Sequence, residues 1–395
     1  MPNTQETINL ANTYILNTYK RIPVVFTKGK GTYIWDSDGK KYLDFFPGWA
    51  VSGLGHCHKR IVKAVSRQLK EIIHVSNNYY SYPQALLAQR LSSNSIGGKV
   101  FFSNSGAEAN EAAIKLARAY GSEDGRYKII SMDKSFHGRT LATLTATGQE
   151  KVKKGFAPLP EGFCHVPFND IDAVKQAIDD VTVAVMLEPI QGEGGINIAD
   201  QDYMKQLRLL CNAKKILLIF DEVQTGMGRC GKLFCYQHYD ILPDIITLAK
   251  SLGGGLPIGA MIASEKFADV LKPGMHASTF GGSPVVCAAA NAVLDAIEKD
   301  RLLANANRMG DYLVKGLNKL KKKSPDVINC IRHKALMIGV ELNIDGNQIV
   351  ESCLEKGLLI NCTQGNILRI MPPITVSKGE INKALKILNE VIIAL

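Results

Sequence analysis

The sequence predicts an α/β fold with a largely parallel main sheet that is covered by helices on both faces. Apolar runs with the length of buried strands alternate with helix-like segments through the middle of the 395-residue chain. These runs are apolar throughout, as expected for strands buried on both faces. The chain is long enough for two to three domains.

The main sheet is predicted from six apolar runs, and helices are predicted between several of them. The expected strands are 99–103, 127–133, 181–189, 215–222, 244–250 and 258–264. The expected helices are 107–120, 171–179 and 201–213. Another helix is expected to begin at Ser283-Pro284 and to run to Lys299, with Ser as N-cap and Pro in the first helical position.

The two ends of the chain predict a smaller α+β domain. A weak helix is expected over 7–20 and a β-hairpin over 32–46, with Asp38-Gly39 as its turn. Towards the C-terminus we expect a strand at 338–343, a helix at 345–356, strands within 358–371 and a last helix from 378. Ser377 and Glu380 form a capping box for that helix. We therefore expect a large domain of residues 46–294 and a small domain of residues 1–45 and 295–395, with the hairpin packed in the small domain.

Composition narrows the class of protein. Lys and Arg number 47 against 37 Asp and Glu, giving a net charge of +10. Such an excess would suit binding to nucleic acid, but the basic residues are spread along the chain, and we expect no nucleic-acid partner. No apolar run approaches the roughly 18 residues of a membrane span, and no secretory signal is visible. Nine cysteines without a CxxC pair are typical of thiols in a cytoplasmic protein.

Two motifs suggest chemistry that their context does not favour. Residues 226–231 match GxGxxG, and with Lys232 they match GxxxxGK, so a nucleotide-binding α/β protein is one alternative. Leu233 stands where the second motif needs Ser or Thr, and no good helix follows to bind phosphates. His56-Cys57-His58 resembles a metal cluster, but no second group of ligands accompanies it, and a loop near the active site is favoured.

The residues that follow the predicted strands form a more informative set. In parallel α/β sheets, ligands bind beyond the carboxyl ends of the strands. After 99–103, Ser105 and Glu108 form a predicted capping box, and the small residues Gly106 and Ala107 leave N–H groups that would suit a phosphate.

The remaining strand ends carry an aromatic side chain and several charges. Phe136 could stack on a planar ring, and Arg139 could bind a carboxylate with two hydrogen bonds. Glu193 lies in a Gly-rich loop, and Asp221 and Lys250 lie at the carboxyl ends of two further predicted strands. Pyridoxal phosphate needs this combination: a lysine for its aldehyde, a carboxylate for its ring nitrogen, an aromatic plate and a phosphate site.

At these residues the sequence resembles the class III pyridoxal-phosphate aminotransferases. The resemblance covers nearly the whole chain, through the segments 47–61, 101–118, 135–170, 188–195, 220–234, 248–261 and 276–290. It also accounts for residues 226–232 as the ordinary continuation of the DEVQTG stretch. It implies the fold type I arrangement of a large sheet domain and a small domain built from both chain ends.

The resemblance implies roles for individual residues. Lys250 would bind the cofactor's aldehyde, and Asp221 would pair with the ring nitrogen. The other cofactor contacts would come from Gln224 at the ring hydroxyl, Val223 and Phe136 on opposite ring faces, and Ser105, Gly106 and Ala107 at the phosphate. Thr279 would reach the phosphate of the other subunit, so that a homodimer would share its active sites. Near the substrate, the resemblance places Ser278, Arg139 on a carboxylate, and Glu193 paired with Arg369.

The implied reaction moves a terminal amino group to 2-oxoglutarate. The resemblance favours N2-acetyl-L-ornithine as the amino donor. Ornithine, 4-aminobutyrate, succinylornithine and succinyl-diaminopimelate remain open, because the pocket residues that distinguish these donors cannot be identified from one sequence.

Overall fold

The structure is a computed structural model that describes residues 3–395. The α-helices of this part of the chain are α1 Thr4–Tyr14, α2 Lys59–Gln68, α3 Tyr82–Ser93, α4 Gly106–Gly121, α5 Leu141–Ala146, α6 Ile171–Ala177, α7 Gln201–Lys214, α8 Pro284–Lys299, α9 Leu302–Lys323, α10 Asn347–Glu355 and α11 Lys378–Ile393. Short 3₁₀ turns lie at Ser122–Asp124, Glu150–Val152, Cys235–His238, Lys250–Leu252 and Glu265–Phe267.

The strands are short, and most lie in three sheets. They are β1 Phe26–Lys30, β2 Tyr33–Asp36, β3 Lys41–Asp44, β4 Lys99–Ser103, β5 Lys128–Met132, β6 Phe163–Val166, β7 Thr182–Leu187, β8 Ile190–Gln191, β9 Asn197–Ile198, β10 Leu217–Asp221, β11 Ile245–Leu248, β12 Gly259–Ala263, β13 Ile328–Lys334, β14 Met337–Leu342, β15 Leu358–Leu359, β16 Asn361–Thr363 and β17 Ile367–Ile370. β8 and β9 form a separate antiparallel pair.

The main sheet has seven strands in the order β4-β12-β11-β10-β7-β5-β6. β6, β5, β7, β10 and β11 run parallel, and β12 runs antiparallel to both of its neighbours. Leu218 and Phe220 of β10 pack in one apolar core, while Leu217 and Ile219 pack in a second. Both faces of the strand are therefore buried, which explains its continuous apolar sequence. The predicted mainly parallel α/β sheet is confirmed.

The two chain ends meet in a second sheet, with the order β1-β2-β3-β15. The predicted hairpin is confirmed: β2 and β3 are antiparallel, and Gly39 in the turn has φ 83°. β15 pairs in parallel with β3, placing Leu358 beside Leu43. The third sheet, β13-β14-β17-β16, is antiparallel. The hairpin thus shares a sheet with a C-terminal strand, a pairing that the sequence did not predict, and the domain boundaries stay a prediction.

Several local predictions need correction. The N-terminal helix ends at Tyr14 rather than 20, and β6 was not predicted, since its short sequence FCHV lies at the sheet edge and is only partly buried. Pro284 does begin α8, but the Ser283 side chain makes no capping hydrogen bond. At α11 the capping box of Ser377 and Glu380 is present in both directions.

Candidate active site

A cavity of about 500 Å³ lies at the carboxyl edge of the main sheet. Strands β7, β10 and β11 are neighbours there, and each has a charged side chain at or just beyond its carboxyl end that lines the cavity: Glu188, Asp221 and Lys250. Parallel strands place their carboxyl ends on one side, so three residues distant in sequence meet. Of the predicted site residues, the lining contains Ser105, Gly106, Ala107, Phe136, Arg139, Glu193, Asp221, Val223, Gln224 and Lys250.

Asp221 is held rigidly at the base of the cavity. It is 3% exposed. Its Oδ2 accepts a hydrogen bond from Asn110 Nδ2 at 2.7 Å and lies 2.8 Å from His137 Nδ1, and its Oδ1 accepts from the backbone N–H of Val223 at 3.0 Å. Thr247 Oγ1 in turn donates to Asn110 Oδ1 at 2.6 Å. This network fixes the direction in which the carboxylate faces the cavity.

Lys250 is the second residue after β11, from which it is separated by Ala249. Its φ is 45°, in the left-handed region, which costs a non-glycine residue about 1–3 kcal/mol. Burial lowers the pKa of its ammonium, while the nearby carboxylates of Glu193, Asp221 and Glu188 oppose that shift. A lysine with a lowered pKa is more often neutral and can act as a nucleophile or base.

The start of α4 faces the same cavity. Ser105 caps the helix by accepting a hydrogen bond from the Glu108 backbone N–H at 3.2 Å. The predicted capping box is only half correct, because the Glu108 carboxylate accepts from the backbone N–H of Asn104 at 2.8 Å, one residue further back. A Cβ added at Gly106 would lie 2.8 Å from Val223 Cγ1, so only glycine fits between helix and cavity wall.

Gln224 carries unsatisfied polar atoms. The residue is 7% exposed, and among residues 3–395 neither its Oε1 nor its Nε2 has a hydrogen-bond partner. Since buried amides are normally hydrogen-bonded, these atoms indicate a place for a polar ligand group. Phe136 and Val223, the predicted ring contacts, line the cavity with it.

Arg369 is fully buried and contacts Glu193, which lines the cavity. Its Nη1 lies 2.5 Å from Glu193 Oε1, and its Nε and Nη2 donate to Asn361 Oδ1 at 2.8 and 2.6 Å. The guanidinium also lies over the rings of Phe46 and Trp49, at 4.7 and 5.3 Å from their centroids. The predicted Glu193–Arg369 contact is therefore present, although Arg369 itself does not line the cavity.

The other predicted substrate residues lie in different surroundings. Arg139 lines the cavity but is exposed, with its guanidinium 5.5 Å from the Phe136 ring centroid. Ser278 and Thr279 lie outside the lining. Ser278 Oγ accepts from Asn104 Nδ2 at 3.2 Å, which places it beside the cavity, and Thr279 is exposed.

Sequence reasoning missed Asn110, His137 and Glu188. Glu188 directly follows β7, the same signal that identified Asp221. Its two oxygens accept from the backbone N–H groups of Phe136 and Gly192, at 3.0 and 2.9 Å. Burial raises its pKa to about 7. Asn110 follows Gly106 by one helical turn on the same helix, so it faces the same side.

The two motifs whose sequence context did not favour a nucleotide or metal site, 226–232 and His56-Cys57-His58, have other roles in the structure. The stretch 226–232 is a loop followed by the 3₁₀ turn Cys235–His238, so the helix that a nucleotide site requires is not there. His56 Nε2 contacts Asp44 Oδ2 at 2.8 Å. No group of three or more His, Cys, Asp or Glu residues suited to a metal occurs within residues 3–395. In the same range, none of the helices is long and apolar enough to cross a membrane.

The chain is similar to aminotransferases over nearly its whole length. The family model described as aminotransferase class-III matches residues 14–392. The chain is 54% identical to an acetylornithine aminotransferase of Caldanaerobacter subterraneus subsp. tengcongensis, over 96% of this chain and 97% of that protein. It is 50% identical to an acetylornithine aminotransferase of Methanocaldococcus jannaschii, over 97% of each chain.

Solved structures are similar over the full length. An acetylornithine aminotransferase from Elizabethkingia anophelis superposes with a TM-score of 0.90 at 34% identity, covering 100% of both chains. An ornithine aminotransferase from Toxoplasma gondii superposes with a TM-score of 0.95 at 33% identity, covering 100% of this chain and 96% of that one. The fold of this chain is therefore shared with aminotransferases of known structure.

Proposed function

The chain belongs to the class-III aminotransferases, and from that premise we propose that it transfers the δ-amino group of N2-acetyl-L-ornithine to 2-oxoglutarate. The products are N-acetylglutamate 5-semialdehyde and glutamate, and the reaction is a step of arginine biosynthesis. The observation that carries the proposal is that Lys250 and Asp221 line one cavity with Glu193, which contacts Arg369 behind it. The chain that holds them is 46–54% identical over nearly its whole length to several acetylornithine aminotransferases.

The cavity residues fit pyridoxal phosphate. The amide of Gln224 has no partner within residues 3–395, as expected if it hydrogen-bonds the ring hydroxyl. The first turn of α4, at Ser105, Gly106 and Ala107, offers free N–H groups for the phosphate. Asp221 would hold the ring nitrogen. When bound, the cofactor supplies an electrophilic aldehyde and a ring that accepts electrons.

Lys250 is the acid–base group of the proposed mechanism. Its Nζ would hold the cofactor through the aldehyde. As a free neutral amine, Nζ would take the proton from the amine-bearing carbon of the donor, and as the resulting ammonium it would donate that proton again. The lowered pKa of Lys250 serves this role, because a neutral amine is needed to take the proton. Asp221, held by Asn110 and His137, stays in place throughout.

The two substrates differ in charge, and two arginines would accommodate the difference. N2-Acetylornithine brings one carboxylate, which Arg139 would bind at the cavity wall. 2-Oxoglutarate brings two, and the second would need Arg369. Glu193 neutralises Arg369 in the structure and would turn away only for the second carboxylate. Glu193 would therefore act as a gate that disfavours glutamate as a donor.

The proposed assembly is a homodimer with shared active sites. Thr279 is exposed and lies outside the cavity, as expected of a residue that would contact the phosphate in the other subunit. The nearby Phe280 is 62% exposed and contacts His74, and Tyr79 and Tyr80 are also exposed. Exposed aromatic groups of this kind are typical of a surface that a partner covers. Ser278, beside them, would lie near the substrate.

We also propose a cytoplasmic location, since all nine cysteines are free thiols.

A panel of amino donors tests the proposal. The purified protein with bound cofactor should be yellow, and N2-acetylornithine should bleach it faster than ornithine, 4-aminobutyrate, succinylornithine or succinyl-diaminopimelate. 2-Oxoglutarate should restore the colour with release of glutamate. Faster bleaching by another donor would reassign the substrate within the family. A protein that stays colourless after addition of pyridoxal phosphate would refute the proposal.

A further inference from the structure

Glu188 joins two loops that both line the cavity. It is 6% exposed and directly follows β7. One carboxylate oxygen, Oε1, accepts from the Phe136 backbone N–H at 3.0 Å, and the other, Oε2, accepts from the Gly192 backbone N–H at 2.9 Å. Each oxygen thus holds a different loop: the one that carries the Phe136 ring and the one that carries Glu193.

The backbone around Glu193 is fixed on both sides. Before it, the carbonyl oxygen of Gly192 accepts from Arg369 Nη1 at 3.3 Å. After it, the carbonyl oxygen of Glu193 accepts from Thr363 Oγ1 at 2.7 Å and from Gln364 Nε2 at 2.8 Å. With the main chain held in this way, the Glu193 carboxylate approaches Arg369 by side-chain rotation alone, and the strength of that contact depends on where Gly192 is held.

The position of Gly192 also affects the cofactor side of the cavity. A Cβ added at Gly192 would overlap the Gln224 amide, so this loop and the proposed ring-hydroxyl contact have no spare room between them. The same carboxylate of Glu188 that holds Gly192 also holds the backbone of Phe136. Movement of either loop would therefore strain a hydrogen bond to the other.

We propose that Glu188 is a positioning residue that fixes the Glu193 gate relative to the Phe136 ring and so sets the preference for N2-acetylornithine over glutamate. The inference rests on the proposed function and deepens it. Glu188 acts through the backbone of Gly192 rather than on the substrate. Without it, the loop around Glu193 would loosen, the contact with Arg369 would weaken, and dicarboxylates would gain access to Arg369.

Substitution by glutamine removes one of the two acceptors while keeping the side-chain size. In Glu188→Gln the amide Nε2 must face a backbone N–H, so one loop loses its partner. Glu188→Asp keeps both acceptor oxygens and the charge but is one methylene shorter. The two variants disturb the same link in different ways, which keeps the inference testable if one of them folds poorly.

Glu222 provides a matched control. It follows Asp221, is 1% exposed, and accepts from the backbone N–H groups of Cys235 and Tyr236, both at 2.7 Å. Burial raises its pKa to about 7, as it does for Glu188. Glu222 does not line the cavity. Glu222→Gln therefore makes the same chemical change in a similar setting that has no link to Glu193.

The experiment compares the holoenzymes of the wild type, Glu188→Gln, Glu188→Asp and Glu222→Gln. Half-reaction rates with N2-acetylornithine and with glutamate are measured by stopped-flow absorbance. The Kd of glutarate, an unreactive dicarboxylate, is measured from the change in the cofactor spectrum. In Glu188→Gln we expect the acetylornithine-to-glutamate ratio to fall about fivefold or more and glutarate to bind more tightly by a similar factor. In Glu222→Gln both quantities should match the wild type, even if its Tm falls as far as that of Glu188→Gln.

Placing Glu188→Gln in a Glu193→Ala background tests the route of the effect. If Glu188 acts through the gate, the second substitution should leave the ratio of the Glu193→Ala enzyme unchanged. An unchanged ratio and glutarate Kd in both Glu188 variants would overturn the inference, as would an equal change in Glu222→Gln. A wild type that reacts with neither donor would instead overturn the proposed function.

Discussion

Nδ1 of His137 lies 2.8 Å from Oδ2 of Asp221, and the two side chains are 0% and 4% exposed. The same carboxylate oxygen accepts from Asn110 Nδ2 at 2.7 Å. A carboxylate buried so deeply would be costly without such donors. The pair therefore holds in place the charge that the proposed mechanism needs at the ring nitrogen.

Replacing His137 by Phe should lower kcat and weaken cofactor binding. The substitution keeps an aromatic ring but removes the donor to Asp221, which should cost about 1–3 kcal/mol, or roughly 5- to 150-fold in rate. Steady-state kinetics and the rate of cofactor loss on dilution measure the two effects. His165→Phe is the control, since His165 is partly buried but contacts only the carbonyl oxygen of Ala146, at 3.3 Å. Equal losses in both variants would contradict a specific role for His137.

Lys250→Ala should abolish turnover. The variant loses the proposed acid–base group, which alone accounts for roughly 10²–10⁴-fold in rate, together with its bond to the aldehyde. Single-turnover absorbance with N2-acetylornithine is the measurement, and the exposed Lys266→Ala should behave as the wild type. Substantial transaminase activity in Lys250→Ala would show that another group moves the proton.

Glu193→Ala should make glutamate a better donor. Without the carboxylate that neutralises Arg369, a second carboxylate can bind at any stage, and we expect the ratio of acetylornithine to glutamate turnover to fall roughly tenfold, or about 1.4 kcal/mol. Glu193→Gln, which keeps a hydrogen-bond acceptor but not the charge, should give an intermediate ratio. If both variants kept the wild-type ratio, the gate would not exist.

The free energy of unfolding should fall as the pH rises from about 4.5 to about 7, partly because of Glu222. Burial raises the pKa of Glu222 from 4.5 to about 7. In that window the folded protein keeps a proton that the unfolded chain has lost, so this contribution to stability is full below pH 4.5 and is lost as pH rises through 7. Urea unfolding between pH 4.5 and 7.5 should give a flatter profile for Glu222→Gln.

An exposed carboxyl group offers the opposite case in the same assay. Lys153 lowers the pKa of Glu150 by a hydrogen bond and by its charge. The stability that Glu150 contributes is therefore present above its ordinary pKa and is lost as pH falls through the lowered one. Glu150→Gln should change the pH profile slightly and with the opposite sign. For Glu222, a Glu222→Gln profile parallel to that of the wild type would contradict a raised pKa of this carboxyl group in the folded protein.

The sequence predicted the parts of the site that follow strands. Asp221 and Lys250 stand directly after long apolar runs, and the parallel arrangement of β10 and β11 brings such ends together. Glu188 carries the same signal, since it directly follows the apolar strand β7. The support of Asp221 by His137 and Asn110 was not predictable in this way. Those contacts join residues 84 and 111 positions away from Asp221, which no local pattern reveals.

Local polar geometry was also harder to predict than the strands. Ser105 and Glu108 have the spacing of a capping box, yet the Glu108 carboxylate bonds the backbone of Asn104. Spacing determines which groups are within reach, whereas the choice among them depends on side-chain rotamers and on neighbours such as Ser278, which contacts Asn104. The edge strand β6 was missed for a related reason, since a strand exposed on one side does not need a continuous apolar run.

The pairing of β3 with β15 has a consequence for the order in which the protein folds. Leu43 lies beside Leu358, so the partner of the N-terminal hairpin is synthesised 315 residues later. At about 5–20 residues per second, the hairpin edge remains open for tens of seconds on the ribosome. An open strand edge can pair with other chains during that time. The length of the intervening chain, rather than the stability of the hairpin, thus determines how long the newly made protein is exposed to misassembly.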